Sequence, residues 1–483
     1  MKTKLTLLLL FPLFLHAQTY WIDTLCTGLL SPVAFDITPD GRIFLTQKGG
    51  QIAQAYEAKI KVYALNGNFI SEFYDLTDSV DSDFERGLLG IAVDPDFTNT
   101  HYIYCFYVHR FPSDEHFRIM RFTDVNSTGT NPTVIYDIDV PDNLPGVHIG
   151  GNIHFRPSEP DKIYFTIGDV GSDQLDTALN YAHMLTNPYG KTLRINKDGT
   201  IPTDNPFYDD GNISTGNCDI IWSYEHRNPF DFCFSPVNDS FYSSENGLNT
   251  WDEVNLIHKG KSYGWNECEG FYRNSSNTIL CDDTTSVLPL TAWGAPLGAV
   301  TGILFYSGTV MPEFDNHLLV ANNDYGEIWD LTMGNAPYFD TVTTKQLWMD
   351  ATTTGGLTTL KEGPEGCVYA MNGGYTNNGA VIRICPSWMD VEEQHSSIGF
   401  IGQNFPNPCT GETNFRFYKN VPGTVELTVY DLQGKETGIS FSRNCVQGEN
   451  EIHLNVGQLV PGNYFVRISS VDGNAGMIIT VGE

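Results

Sequence analysis

One hairpin pattern recurs six times along the chain: an apolar strand, a turn carrying proline, and a second apolar strand. The copies start at Val33 (VAFDITPDGRIFLTQKGG), Gly87 (GLLGIAVDPDFTNTHYIYCFYV), Gly151 (GNIHFRPSEPDKIYFTIGD), Phe230 (FDFCFSPVNDSFYSSENG), Gly302 (GILFYSGTVMPEFDNHLLVANND) and Leu357 (LTTLKEGPEGCVYAMNGG). Their spacing runs from about 55 to about 80 residues, so some copies carry inserted loops. Most are followed by further strand-like segments such as GEIWDLTM or GAVIRIC, and helical periodicity is weak throughout. Six β-sheet units in one chain predict an all-β, six-bladed β-propeller, which hides its sheet edges by radial repetition. Two stacked β-sandwiches are the rival architecture. The 46 glycines, 25 prolines and 13% aromatic residues suit a turn-rich β fold.

Lys2 and Lys4 precede an apolar run from Leu5 to Leu15, and Ala17 offers a small residue before a cleavage point near Gln18. Residues 1–17 therefore read as a secretory signal peptide. No later run approaches the roughly 20 apolar residues of a membrane span, so a soluble exported protein is expected. The formal charge of −31, from 58 acidic and 27 basic residues, repels phosphate backbones and anionic lipids and argues against nucleic acid as a partner. Ten cysteines suit an oxidising compartment, and the absence of CxxC argues against a zinc ribbon. Sequence order suggests Cys268–Cys281 across a surface loop, Cys409–Cys445 in the C-terminal region and Cys26–Cys385 between the chain ends; other pairings stay open.

The third hairpin carries the most specific chemistry. With its turn near Ser158 to Pro160, folding PGVHIGGNIHF onto KIYFTIGD sets His148 opposite Asp169. In a propeller the first strand of each blade lines the central channel, so the two residues would meet at one mouth. A histidine held by a carboxylate has a fixed tautomer, and its free nitrogen can take a proton. An ordinary turn histidine satisfied by hydrogen bonds is the plainer alternative. Gly150 and Gly151 permit close approach of a ligand or a neighbouring blade.

Folding the other hairpins in the same way brings more polar residues to that mouth. They are Gln47 and Lys48, Glu85 and Arg86, and Arg227 and Asn228 opposite Asn246 and Gly247. Blades five and six add Thr301, Asn322, Asn323, Asp324, Thr358 and Asn372. One base, two arginines and many amides describe a site for a polar, partly anionic small molecule. Polar residues also gather wherever strands meet water.

The motifs ERGLLGIAVDPDF, HIGGNIHF, TIGDVG, GKTLRINKDGTIPTDNPF, YEHRNP, SENG with DEVNLI, and KGKSYGW occur in that order. This set resembles the glucose/sorbosone dehydrogenase family, soluble aldose dehydrogenases that use pyrroloquinoline quinone (PQQ), over roughly Tyr20 to Cys385. The resemblance implies a six-bladed propeller that oxidises the anomeric hydroxyl of an aldose and passes electrons to an external acceptor. It implies that His148 removes the sugar proton, that Asp169 orients the imidazole, and that Arg227 stands against the quinone oxygens. Asn228, Asn246, Glu85 and Arg86 fall at cofactor and substrate contacts. The backbone carbonyls of Gly247 and Leu248 match the pair that holds a calcium ion, which accepts such hard oxygen ligands. Asp252 and Glu253 follow as an acidic pair of structural character.

Two departures bear on the cofactor. Glucose-oxidising members carry Arg-x-Arg-Asp where this chain reads Gly356-Leu357-Thr358-Thr359, and a lysine expected after the fifth blade's second strand is Asp324. PQQ bears three carboxylates, so losing three cations and gaining an anion should weaken its binding. GLNTWDEVNLI and GWNECEGFYRN are similar to Hedgehog-interacting-protein-like propellers of the same family. That likeness implies the alternative of a non-catalytic propeller that binds a glycan or a protein at the channel mouth.

From Ile401 the texture changes to short alternating strands, which predict a small β-sandwich over 401–483. The order QNFPNP, YDLQG and LVPGNYFVRI resembles the C-terminal sorting domain of the type IX secretion system of Bacteroidota. It implies that machinery as a partner, and release or attachment at the cell surface. A carbohydrate-binding or adhesion module is the alternative. The propeller is expected over 20–386, and the acidic stretch 387–400, with SWMDVEEQHSS, is its linker to the tail.

Overall fold

The computed structural model describes residues 20–482 apart from 51–56, 111–114, 141–144, 173–179, 283, 297, 353–354, 375–377, 390–397, 401–402, 420, 433 and 471–472. The expected signal peptide and most of the expected linker lie outside the described residues. Contacts divide the chain into one unit ending at Ser387 and a second beginning at Trp388.

The first unit is a ring of six four-stranded antiparallel sheets, and each repeated hairpin supplies the two inner strands of one blade. The innermost strands are Pro32–Ile37, Leu88–Val93, Ile153–Arg156, Pro229–Phe234, Val300–Tyr306 and Leu357–Glu362. The sixth sheet takes its outer strand from the start of the chain: Tyr20–Thr24 pairs with Ala380–Pro386, from Tyr20↔Pro386 to Thr24↔Ile382. The long spacing before the fifth hairpin has a visible cause. Blade four carries an insert whose own three-stranded sheet uses Cys268–Glu269, Tyr272–Arg273 and Ser276–Leu280.

Alternation within strands turns apolar side chains into the seams between blades. Tyr104, Phe106, Phe165 and Leu193 fill the seam of blades two and three, all at most 1% exposed. Each such side chain stabilises the fold by roughly 1.5–3 kcal/mol.

The channel ends of the inner strands are irregular in a repeated way. Register shifts fall at Pro32/Phe35, Leu88/Ile91, Pro229/Asp231, Val300/Ile303 and Leu357/Thr359. A bulge releases a carbonyl from its ladder, and the preceding blade's hydroxyl takes it. Thr46 Oγ1 donates to Leu89 O at 2.8 Å, Thr359 Oγ1 to Val33 O at 3.0 Å, and Ser244 Oγ to Thr301 O. These bonds fasten neighbouring blades at the end of the channel where the candidate residues gather.

The second unit has two antiparallel sheets, Ile398–Phe400 with Glu412–Lys419 and Gly448–Asn455, and Glu436–Cys445 with Gly423–Tyr430, Gly462–Ser470 and Gly473–Val481. Phe415, Phe417, Leu427, Val466 and Ile468 are fully buried between them. Ile398–Phe400, assigned by sequence to the linker, pairs with the tail's own sheet through Ile398↔Lys419.

The disulfides correct two expectations. Cys268–Cys281 forms, but Cys385 bonds Cys367 rather than Cys26, and Cys26, Cys409 and Cys445 are free thiols. The reason is register: Val368 pairs with Ile384, which sets Cys367, the residue just before its strand, against Cys385 on the adjacent strand with Cα atoms 4.9 Å apart. In the tail, Cys409 bridges to Val481 while Cys445 pairs with Gly423, so neither faces the other across a ladder. Among the described residues, no helix is long and apolar enough to cross a membrane.

Candidate active site

Blade three positions the imidazole. Ile153↔Phe165 sets the hairpin register, and His148 and Asp169 lie just beyond its open end. His148 has φ 56°, a left-handed conformation that strains a non-glycine residue by about 1–3 kcal/mol. Its backbone N–H is tied to Glu85 Oε2 at 2.6 Å, which holds that conformation from blade two. Gly168 makes the crossing possible: a Cβ there would lie 2.2 Å from His148 O and 2.8 Å from Arg227 O.

The two side chains meet. His148 Nδ1 is 2.6 Å from Asp169 Oδ1. Asp169 is fully buried, and its remaining lone pairs accept Gly171 N–H at 3.0 Å and the Trp265 indole N–H at 2.9 Å. On the other side of the ring, Arg227 Nη2 stands 3.0 Å from His148 Nε2. A guanidinium has donors and no acceptor. His148 Nε2 therefore carries a lone pair, and the ring proton sits on Nδ1, donated to Asp169. The geometry assigns the tautomer.

Blade four positions the guanidinium. Asp169 N–H donates to Arg227 O at 2.7 Å, which locks blade four to blade three at this point. Arg227 Nη1 donates to Asn246 O at 3.1 Å and Gly247 O at 2.7 Å, and its charge lies 5.5 Å from the centre of the Trp265 ring. Beneath it, Glu245 accepts Arg227 N–H and the His226 Nδ1 proton, while His226, fully buried, stacks on Tyr263 with ring centres 4.6 Å apart.

Asp252 and Glu253 lie on the strand Trp251–Ile257 rather than in a loop. Asp252 accepts amides of Gly247, Gly298 and Ala299 at 3.0, 3.3 and 3.0 Å, so it ties turns of blades four and five together. Burial, with the charge of Glu245 added, holds the Glu253 carboxyl well above its ordinary range.

Hydrogen bonds thus connect His148, Asp169, Arg227, Glu85, Asn246 and Gly247, and Asn228 joins through its carbonyl, which accepts Asn246 N–H at 3.1 Å. Leu248 follows and is 43% exposed. Arg86 is held instead by Glu115 at 3.1 Å and Asp81 at 3.6 Å. Burial and the bond to Asp81 push the Glu115 carboxyl up to about 7. Lys48 donates to Ser82 O at 2.8 Å, and burial pushes it down to about 8. Gly150 and Gly151 admit neighbouring blades: a Cβ on the first would meet Pro229 O at 3.2 Å, and on the second Leu89 at 2.7 Å.

Among the described residues, Thr358 Oγ1, Gln47 Nε2, Asn228 Oδ1 and Asn246 Oδ1 are buried side-chain atoms without a hydrogen-bond partner. Such atoms are disfavoured unless something else meets them. The sequence did not single out Trp265, Glu245 or Glu269. Trp265 ends the motif KGKSYGW, and a tryptophan with a donor to satisfy was its only local signal.

The family described as glucose/sorbosone dehydrogenase matches residues 29–383, and a secretion system C-terminal sorting domain matches residues 403–479. Quinoprotein glucose dehydrogenase B of Acinetobacter calcoaceticus is 34% identical over 271 residues, 52% of this chain and 53% of that protein. The soluble aldose sugar dehydrogenase of Escherichia coli, solved in its apo-form, aligns with a TM-score of 0.63 at 21% identity, covering 76% of this chain and 100% of that one. The PQQ-bound aldose sugar dehydrogenase of Streptomyces coelicolor aligns with a TM-score of 0.57 at 22% identity, covering 76% and 99%.

Proposed function

The chain belongs to the glucose/sorbosone dehydrogenase family, and from that premise we propose that it oxidises the anomeric hydroxyl of an aldose with PQQ as hydride acceptor and calcium beside it. Its sorting domain directs it through type IX secretion to the cell surface or beyond, where an external acceptor would collect the electrons.

The donor set fits the redox end of that cofactor. Arg227 would face the quinone oxygens, the unpartnered amide oxygens of Asn228 and Asn246 would accept hydrogen bonds from N–H or O–H groups of a bound ligand, and the Gly247 and Leu248 carbonyls would hold the ion. The Thr358 hydroxyl and the Gln47 amide, unpartnered among the described residues, are neutral donors that would meet the carboxylates of PQQ in place of the cations the family resemblance implies. PQQ held there would supply the hydride acceptor, and calcium would supply its polarisation.

The chain's own residues do the proton chemistry. Nε2 of His148 would take the sugar proton, because Nδ1 already carries its proton towards Asp169. The imidazolium so formed would be paired by Asp169, whose carboxylate Trp265 and Gly171 keep aimed. Glu85 would keep the ring from swinging by holding its backbone. The Arg227–His148–Asp169 chain is the observation that carries this reading.

Adding calcium and PQQ to purified protein should give dye reduction with at least one aldose. No absorbance of bound quinone and no reduction across an aldose panel would favour a propeller that only binds a glycan or protein. The side chains at Thr358 and Asp324, which replace expected cations, support that second reading.

A further inference from the structure

We propose that Glu269, carried on the disulfide-closed insert of blade four, is a positioning residue that aims the Gly247 and Leu248 carbonyls into the site; the inference rests on reading those carbonyls as cation ligands. Glu269 is 6% exposed. Its Oε1 accepts four successive backbone amides: Leu248 at 3.0 Å, Asn249 at 3.1 Å, Thr250 at 2.8 Å and Trp251 at 2.9 Å. One carboxylate thus closes a nest of N–H groups, the arrangement in which backbone dipoles favour an anion.

The peptide plane does the aiming. In a planar trans peptide, C=O points opposite to N–H. The Leu248 N–H shares its plane with Gly247 C=O, and the Asn249 N–H shares its plane with Leu248 C=O. With both N–H groups turned to Glu269, both carbonyls turn away from it. Gly247 O accordingly meets Arg227 Nη1 at 2.7 Å.

The insert is held tightly enough to do this. Cys268, next to Glu269, is bonded to Cys281. Gly270 N–H donates to Glu253 Oε2 at 2.8 Å, and Tyr272 stacks on Trp251 with ring centres 5.7 Å apart. Gly247 is needed beneath the carboxylate: a Cβ there would lie 2.6 Å from Glu269 Oε1 and 1.8 Å from Trp251 O.

Two measurements on the full chain separate this role from the cation reading. Hydrogen exchange by mass spectrometry reads the amides of 248–251. Terbium luminescence, excited through Trp251 and Trp265 and displaced by calcium, reads the carbonyl pair. Glu269→Ala should speed exchange at 248–251 at least tenfold and weaken terbium binding at least tenfold. Glu269→Gln, which keeps an acceptor oxygen, should show smaller changes in both. Unchanged exchange in either variant overturns the proposal. Faster exchange with terbium affinity equal to that of the unaltered chain also overturns it. If the unaltered chain binds no terbium while exchange still depends on Glu269, the cation reading fails and the aiming role falls with it. Should Glu269→Ala not melt cooperatively, Glu269→Gln alone decides by the same criteria.

Discussion

Arg227 Nη2 donates to His148 Nε2 across 3.0 Å, joining blade four to blade three through a nitrogen that must be unprotonated. The bond places a positive charge and a potential base in contact before any ligand arrives. Both side chains are at least nine-tenths buried, so little water competes for either.

His148→Ala removes the proposed base and leaves the rest of the pocket in place. Turnover in the dye assay should fall by about 10²–10⁴-fold, while equilibrium titration of PQQ changes little. Full activity in the variant would assign the proton to another group.

Trp265→Phe deletes the indole N–H that Asp169 Oδ2 accepts at 2.9 Å. Losing one such bond to a buried carboxylate destabilises by about 1.5–3 kcal/mol, seen as a lower melting temperature. A freer carboxylate orients His148 less well, so kcat should drop roughly tenfold with the sugar KM unchanged. A fall in stability with no fall in kcat would limit Trp265 to packing.

Cys367 and Cys385 enclose a loop with a sequence separation of 18. Replacing both with alanine should destabilise the propeller by about 3 kcal/mol, read by denaturant melts. Non-reducing peptide mapping should recover the Cys367–Cys385 peptide and an alkylatable Cys26. A Cys26–Cys385 peptide would reinstate the expectation drawn from sequence.

Glu115 gives a pH dependence of known sign. Its carboxyl is pushed up to about 7 by burial and by Asp81, while an unfolded glutamate titrates near 4.3. Between those values the folded chain holds a proton that the unfolded chain has released. Stability from this group is therefore complete below about pH 4 and is lost as pH rises through 7. The melting temperature of the unaltered protein should decline more between pH 5 and 8 than that of Glu115→Gln. Parallel curves would mean that the Asp81–Glu115 pair does not share a proton.

Features legible in the sequence are those that a single hairpin brings together. His148 and Asp169 are 21 residues apart with one turn between them, so pairing geometry alone makes them neighbours. Arg227 and Asn246 follow from the next blade's hairpin in the same way. The partners that hold them come from elsewhere: Trp265 reaches Asp169 across 96 positions, and Glu85 reaches His148 across 63. Sequence offers no local signal for contacts between blades. Arg86 shows the converse. It follows Glu85 directly, yet the carboxylates of Asp81 and Glu115 claim its guanidinium. The Cys26–Cys385 expectation rested on closeness to the chain ends, whereas strand adjacency decides which sulfurs can touch.

The outer strand of the sixth sheet, Tyr20–Thr24, comes from the opposite end of the propeller's chain to the three strands beside it. The circle therefore has a seam, and the last-made blade must capture the first-made strand. Five sheets can assemble as the polypeptide emerges, but the sixth waits for Ala380–Pro386. Such distant pairing slows folding, so an unfinished chain would leave an open arc with bare edges at both ends.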